Sequence, residues 1–135
     1  MLTDDMRMTL VKAASDVRIN AYVPYSNYAV GAAVLTSSGK VFTGVNVENA
    51  AYPSAMCAER VAIFKAISEG EKQFEAISVV TENGGTPCGA CRQVMAEFGL
   101  QTVVLIANQR GEIVRETDVG SLLPDAFLPG DLIDF

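Results

Sequence analysis

Histidine is absent from the 135 residues of this chain, and cysteine occurs only three times, at Cys57, Cys88 and Cys91. A structural zinc site normally closes with four nitrogen or sulfur ligands. Three thiols with no histidine to complete them would therefore leave a metal with one open coordination position. An odd number of cysteines with a Cys-x-x-Cys pair among them is also poor material for a framework of stabilising disulfides. Positive charge is scarce as well: 10 Lys and Arg stand against 16 Asp and Glu, for a net charge of -6. Neutralising phosphates requires clustered basic side chains, so nucleic acid is not an expected partner and a small molecule suits the chain better. No apolar run approaches the roughly 20 residues that span a bilayer. The opening MLTDDMRMTL carries acidic residues where a signal peptide carries basic ones, so the expectation is a soluble, cytoplasmic protein with no membrane partner.

What is present is an apolar half, 50% of the residues, with no linker-like or repeated segment to divide it. A single domain over residues 1–135 is expected. Leu2, Met6, Leu10, Ala13, Val17 and Ala21 recur at spacings of three and four, which describes the apolar stripe of an N-terminal helix stopped by Pro24. YAVGAAVLT and VFTGVNVEN then read as two strands joined by a turn at Ser38-Gly39. CAERVAIFKAISE reads as a helix that buries Val61, Ile63, Phe64 and Ile67 and is capped by Gly70.

FEAISVVTE follows as a buried strand, and CGACRQVMAEF as a helix behind Pro87 that Gly99 ends. TVVLIAN and EIVRET supply two more strands around QRGE, and VGSLLPDAF a short terminal helix. The helix between FEAISVVTE and TVVLIAN implies a parallel crossover. The expected architecture is a three-layer α/β/α sandwich around a mixed five-stranded sheet.

Cys88 and Cys91 are three residues apart, so on a helix they share a face and can grip one ion, with Cys57 as a third ligand from the other helix. Glu59 is the candidate to act on a water in the open position. Two residues along a helix amount to about 200° of rotation, but at a helix tip the first-turn side chains surround the end of the axis. Both Cys57 and Glu59 could then approach an ion lying just beyond it. Helix N-termini at both cysteine segments would also favour thiolate. A divalent ion with three thiolates is formally one unit negative, so Arg60 and Arg92 are candidates to donate charge to the sulfurs. Taken singly, Cys57 would be read as core, Glu59 as a solvated helix residue and the arginines as surface charges. A thioredoxin-type pair would leave Cys57 and Glu59 without a role.

NVENAAYPSAMCAER and TPCGACRQVMAEFG resemble the two active-site segments of the cytidine deaminases of the short homotetrameric type, and the similarity runs from PYSNYAVGAAVLT to LLPDAF. The resemblance implies hydrolysis of cytidine and 2'-deoxycytidine to uridine and deoxyuridine with release of ammonia, in pyrimidine salvage. It implies one Zn2+ per subunit held by Cys57, Cys88 and Cys91, and an activated water whose proton Glu59 shuttles to the base. Asn46 and Glu48 of the NxEN pattern are implied to bind the ribose hydroxyls, and backbone groups near Ala58 and Thr86 the pyrimidine edge. Tyr28 stands where such proteins often carry phenylalanine against the nucleoside. Phe127 resembles an aromatic that reaches a neighbouring subunit's pocket in a homotetramer, and Arg60 fits charge compensation at the sulfurs. A deaminase of a related nucleoside or a blasticidin-type antibiotic, or a binding module in which zinc staples two helices, are the competing readings.

Overall fold

The computed structural model describes residues 1–133 of the chain. Helix α1, Asp4–Val17, starts where the Thr3 hydroxyl accepts the Met6 amide at 3.1 Å, with Asp4 and Asp5 in the first turn favoured by the helix dipole. It ends in a short 3-10 turn, Arg18–Asn20, so the helix stops before Pro24 is reached. Leu10, Val11 and Ala14 form its buried stripe, while Val17 and Ala21 are only half-buried.

Strands β1, Gly31–Thr36, and β2, Val41–Val45, form an antiparallel hairpin whose turn places Gly39 at a φ of +92°, a conformation suited to glycine. Helix α2, Ala58–Ser68, leads to β3, Phe74–Val80, and helix α3, Gly89–Glu97, to β4, Val103–Ala107. Strand β5, Ile113–Asp118, and the single-turn helix α4, Val119–Leu122, follow. The sheet order is β2-β1-β3-β4-β5, with β3 and β4 parallel and the other neighbouring pairs antiparallel. The element order and the mixed five-stranded sheet agree with the expectation from sequence.

Alternation along the strands separates two cores. Ala33, Leu35, Ala76, Val80 and Leu105 face α1, whereas Ala32, Val34, Ile77, Val104 and Ile106 face α2 and α3. On the α1 side the one hydroxyl in the middle of β3, Ser78, satisfies itself by donating to the Leu10 carbonyl at 2.7 Å. On the α2 side the buried stripe consists of Ala58, Ala62, Ile63 and Ala66. Phe64, expected inside, is 45% exposed, because the small residues face the sheet and allow a close approach that a phenyl ring would block.

That approach fixes where α2 begins. Gly44 of β2 lies so near the helix that a β-carbon there would stand 2.5 Å from the Ala62 nitrogen and 2.6 Å from the Ala58 oxygen. Gly44→Ala is therefore expected to destabilise the fold by about 1–3 kcal/mol through overpacking. A urea titration checks this: the midpoint should fall with little change in slope, and an unchanged midpoint would mean that β2 and α2 are not in this contact.

Candidate active site

Cys57 and Cys88 occupy equivalent places. Each is the N-cap residue of its helix, in extended conformation with φ and ψ of −76° and 151° for Cys57 and −68° and 167° for Cys88, and neither side chain caps its helix. Both sulfurs are thus free to face outward past the helix ends, where unpaired first-turn amides concentrate positive potential. Cys91 is the third residue of α3, about one turn on from Cys88, and is buried. The Cys57 and Cys88 sulfurs are 3.8 Å apart, the Cys88 and Cys91 sulfurs 3.5 Å, and the three lie within 4.8 Å of one another.

Two sulfurs bound at about 2.3 Å to a tetrahedral zinc stand about 3.8 Å apart. The cluster already has the spacing such an ion needs, and its thiolate character suits zinc. The donor set therefore fits one ion with a coordination place left over.

The electrostatics of the cluster follow from its crowding. Cys57 is pulled down to about 5, chiefly by a hydrogen bond from Cys91 and then by the Arg60 guanidinium, against the opposing effect of burial. Arg60 Nη2 donates to the Cys57 sulfur at 3.3 Å. The Cys91 thiol is pushed up by its neighbour Cys57 and by burial. Like charges this close cannot all form without a cation between them.

Glu59, second residue of α2, is 4% exposed. Burial pushes its carboxyl up, and the charge on Cys57 pushes it further. Such a carboxyl holds a proton more readily than a solvated one.

A cavity of about 280 Å³ opens in front of these groups, lined by Cys57, Ala58, Glu59 and Cys88. Asn46, Glu48 and Tyr28 line it as well. Segment 46–48 is held by backbone bonds on two sides. Tyr22 donates to the Asn46 carbonyl at 3.0 Å and accepts from Glu48 at 2.8 Å, while Val47 and Met56 exchange bonds of 3.0 and 2.9 Å just before Cys57.

The Asn46 carboxamide is also anchored, donating to the Tyr28 carbonyl at 2.8 Å and accepting from the Val30 amide at 2.9 Å. Glu48 accepts from the Tyr25 and Ser26 amides at 3.0 and 3.1 Å and from the Ser26 hydroxyl. These bonds lower its pKa, the Ser26 hydroxyl most of all.

Two expectations fall outside this group. Arg92 does not reach the sulfurs: its guanidinium donates to the Pro87 carbonyl at 2.8 Å, the Leu122 carbonyl at 2.9 Å and the Thr86 hydroxyl at 3.2 Å. One residue beyond Cys91 is a rotation of about 100° around the helix, which carries its stem to another face, where it ties the approach to α3 against α4. Phe127 is 55% exposed and does not line the cavity of its own chain. Ser26, Val30, Val79, Thr81 and Gly85 line the cavity without having been singled out from sequence. Their signal lay in the strand ends that flank it, not in any motif.

The family model for the cytidine and deoxycytidylate deaminase zinc-binding region matches residues 5–107. Cytidine deaminase from Halalkalibacterium halodurans is 50% identical over 131 residues, 95% of this chain and 98% of that protein. The enzyme of the same name from Sporosarcina psychrophila is 48% identical over 126 residues, 91% and 92% of the two chains. The crystal structure of cytidine deaminase from Burkholderia pseudomallei superposes with a TM-score of 0.83 at 52% identity, covering 88% of this chain and 97% of that one. Blasticidin-S deaminase from Bacillus cereus is more distant, at 29% identity over 127 residues, 87% and 89% of the two chains.

Groups that hydrogen-bond to metal ligands typically contribute about 10- to 100-fold to metal affinity. Arg60→Gln should therefore weaken zinc binding by about that factor, read by competition with a chelator. Unchanged affinity would remove Arg60 from the electrostatic balance of the sulfurs.

Proposed function

The chain belongs to the cytidine and deoxycytidylate deaminase family and is a hydrolytic deaminase; we propose that its cavity converts cytidine and 2'-deoxycytidine to uridine and 2'-deoxyuridine through the residues gathered there. Water adds at C4 of the ring, the bond from C4 to the amino nitrogen breaks, and ammonia leaves. The observation that carries this reading is that the buried Glu59 lines the same cavity as Cys57 and Cys88.

Cys57, Cys88 and Cys91 would hold the zinc, which when bound would supply Lewis acidity and make water a competent nucleophile near neutral pH. The remaining work falls to side chains. Glu59 relays both protons of the attacking water: it accepts the first and delivers it to ring N3, then takes the second from the hydroxyl now on C4 and delivers it to the amino nitrogen, which leaves as ammonia. Its raised pKa supports both directions of transfer, since a carboxyl of ordinary acidity releases a proton easily but accepts one poorly. Arg60 offsets the negative charge on sulfur, which keeps the metal electrophilic.

Asn46 and Glu48 orient the sugar. After its two backbone bonds, the Asn46 carboxamide retains one N–H and one acceptor lone pair. The Glu48 carboxylate is held in one orientation by Tyr25 and Ser26 and keeps acceptor capacity for a hydroxyl. The tip of α2 at Ala58 and the backbone at Thr86 meet the pyrimidine edge, and the Tyr28 ring lies against the nucleoside. We assign the whole chain to one domain, working in pyrimidine salvage in the cytoplasm, where a reducing environment preserves the three free thiols.

The assembly we favour is a homotetramer in which Phe127 enters a neighbouring copy's cavity. Exposed apolar side chains at Ile19, Tyr52 and Phe127 support it. Sedimentation should give a tetramer, and a monomer at working concentration would contradict the assembly. Loss of cytosine absorbance on incubating zinc-loaded protein with cytidine tests the reaction itself, and no turnover beside an active control would refute it. Glu59→Gln should keep zinc and fold while turnover falls by about 10² to 10⁴. Retained activity would exclude Glu59 from proton transfer.

A further inference from the structure

Tyr28 lines the cavity from the segment before β1, while Gly85 and Thr86 line it from the segment after β3. The antiparallel ladder between these strands ends at Gly31 paired with Val80. Continued three residues outward, the same register sets Tyr28 opposite Asn83. The backbone does not continue the ladder, for the Ala29 carbonyl accepts from Arg18 Nε at 2.8 Å and the Glu82 carbonyl from the Gln109 amide at 3.4 Å. Side chains bridge the gap. The Tyr28 hydroxyl donates to Asn83 Oδ1 at 2.7 Å, and the Thr81 hydroxyl approaches the same oxygen at 3.5 Å while accepting from the Gly85 amide at 2.8 Å. A β-carbon at Gly85 would stand 2.6 Å from the Tyr28 hydroxyl oxygen, so the lack of a side chain there is what lets the hydroxyl reach across the loop.

We propose that Tyr28 is a positioning residue: its hydroxyl latches Asn83 and so holds loop 81–86, with Thr86 and the approach to Cys88, at the spacing that grips the pyrimidine ring. The gripping role rests on the nucleoside reading of the cavity given above. The phenol ring alone would supply an aromatic face but would leave the two lips of the cavity unconnected. The hydroxyl therefore governs how firmly substrate is held more than how fast the bound ring reacts.

Tyr28→Phe, Asn83→Ala and the double variant, each loaded with zinc, test the latch. Cytidine KM should rise about three- to tenfold in each single variant, the scale of one hydrogen bond, with kcat falling by less than KM rises. The double variant should be no worse than either single one, because both remove the same interaction. Asn83→Asp, which keeps an acceptor oxygen, should return KM toward the parent value. Amide exchange across residues 81–86 should quicken in Tyr28→Phe with zinc content unchanged, a readout that needs no substrate. A parent chain unable to turn over cytidine overturns the substrate reading and with it the gripping role. A parent that does turn over cytidine, while Tyr28→Phe leaves KM and exchange unchanged, overturns the latch alone, as would additive losses in the double variant.

Discussion

Two helices begin at the same end of one sheet, each with a cysteine at its N-cap whose sulfur does no capping. Everything chemical in the chain depends on that convergence. Helix α3 is the crossover between parallel strands β3 and β4, so its N-terminus must emerge at the carboxyl end of β3. Helix α2 leads into the amino end of β3 and so also starts at that strand's carboxyl end, where its first turns are held by close contact with Gly44 of β2. The bridge between Val47 and Met56 then brings the polar segment 46–48 alongside Cys57. A site at the carboxyl ends of parallel strands is where open α/β sheets generally receive ligands.

The same convergence creates an electrostatic problem that the fold solves in layers. Sulfurs 3.5 and 3.8 Å apart repel once ionised. Two helix N-termini, a guanidinium on Cys57 and a metal ion share the negative charge. Glu59 sits within this arrangement, buried and disposed to hold a proton. Its neutral form avoids adding another negative charge beside the sulfurs, and its ionised form is the one that can accept a proton. A buried carboxyl of raised pKa holds a proton more readily than a solvated one.

Much of this was legible in the residues themselves, because local chemistry carries it. The spacing of Cys88 and Cys91 and the helix-tip geometry of Cys57 and Glu59 follow from helix parameters alone, and the parallel crossover from the helix between two apolar strands. What could not be read depends on which neighbour a side chain meets. Phe64 lies on the outer side of α2 because alanines, not the largest apolar residues, form the inner stripe. Arg92 and Arg60 adjoin equivalent motifs, yet one clamps Pro87, Thr86 and Leu122 while the other meets sulfur. Asn83 gains a partner in Tyr28 only through the register of β1 on β3, information no single segment contains.

The convergence of thiols on one ion with a vacant place can be measured directly by zinc-edge X-ray absorption on the full-length protein, with and without a pyrimidine nucleoside. Three sulfur neighbours at about 2.3 Å and one light atom that changes when the nucleoside is added are the predicted result. Four permanent protein ligands, or fewer than three sulfurs, would contradict the account.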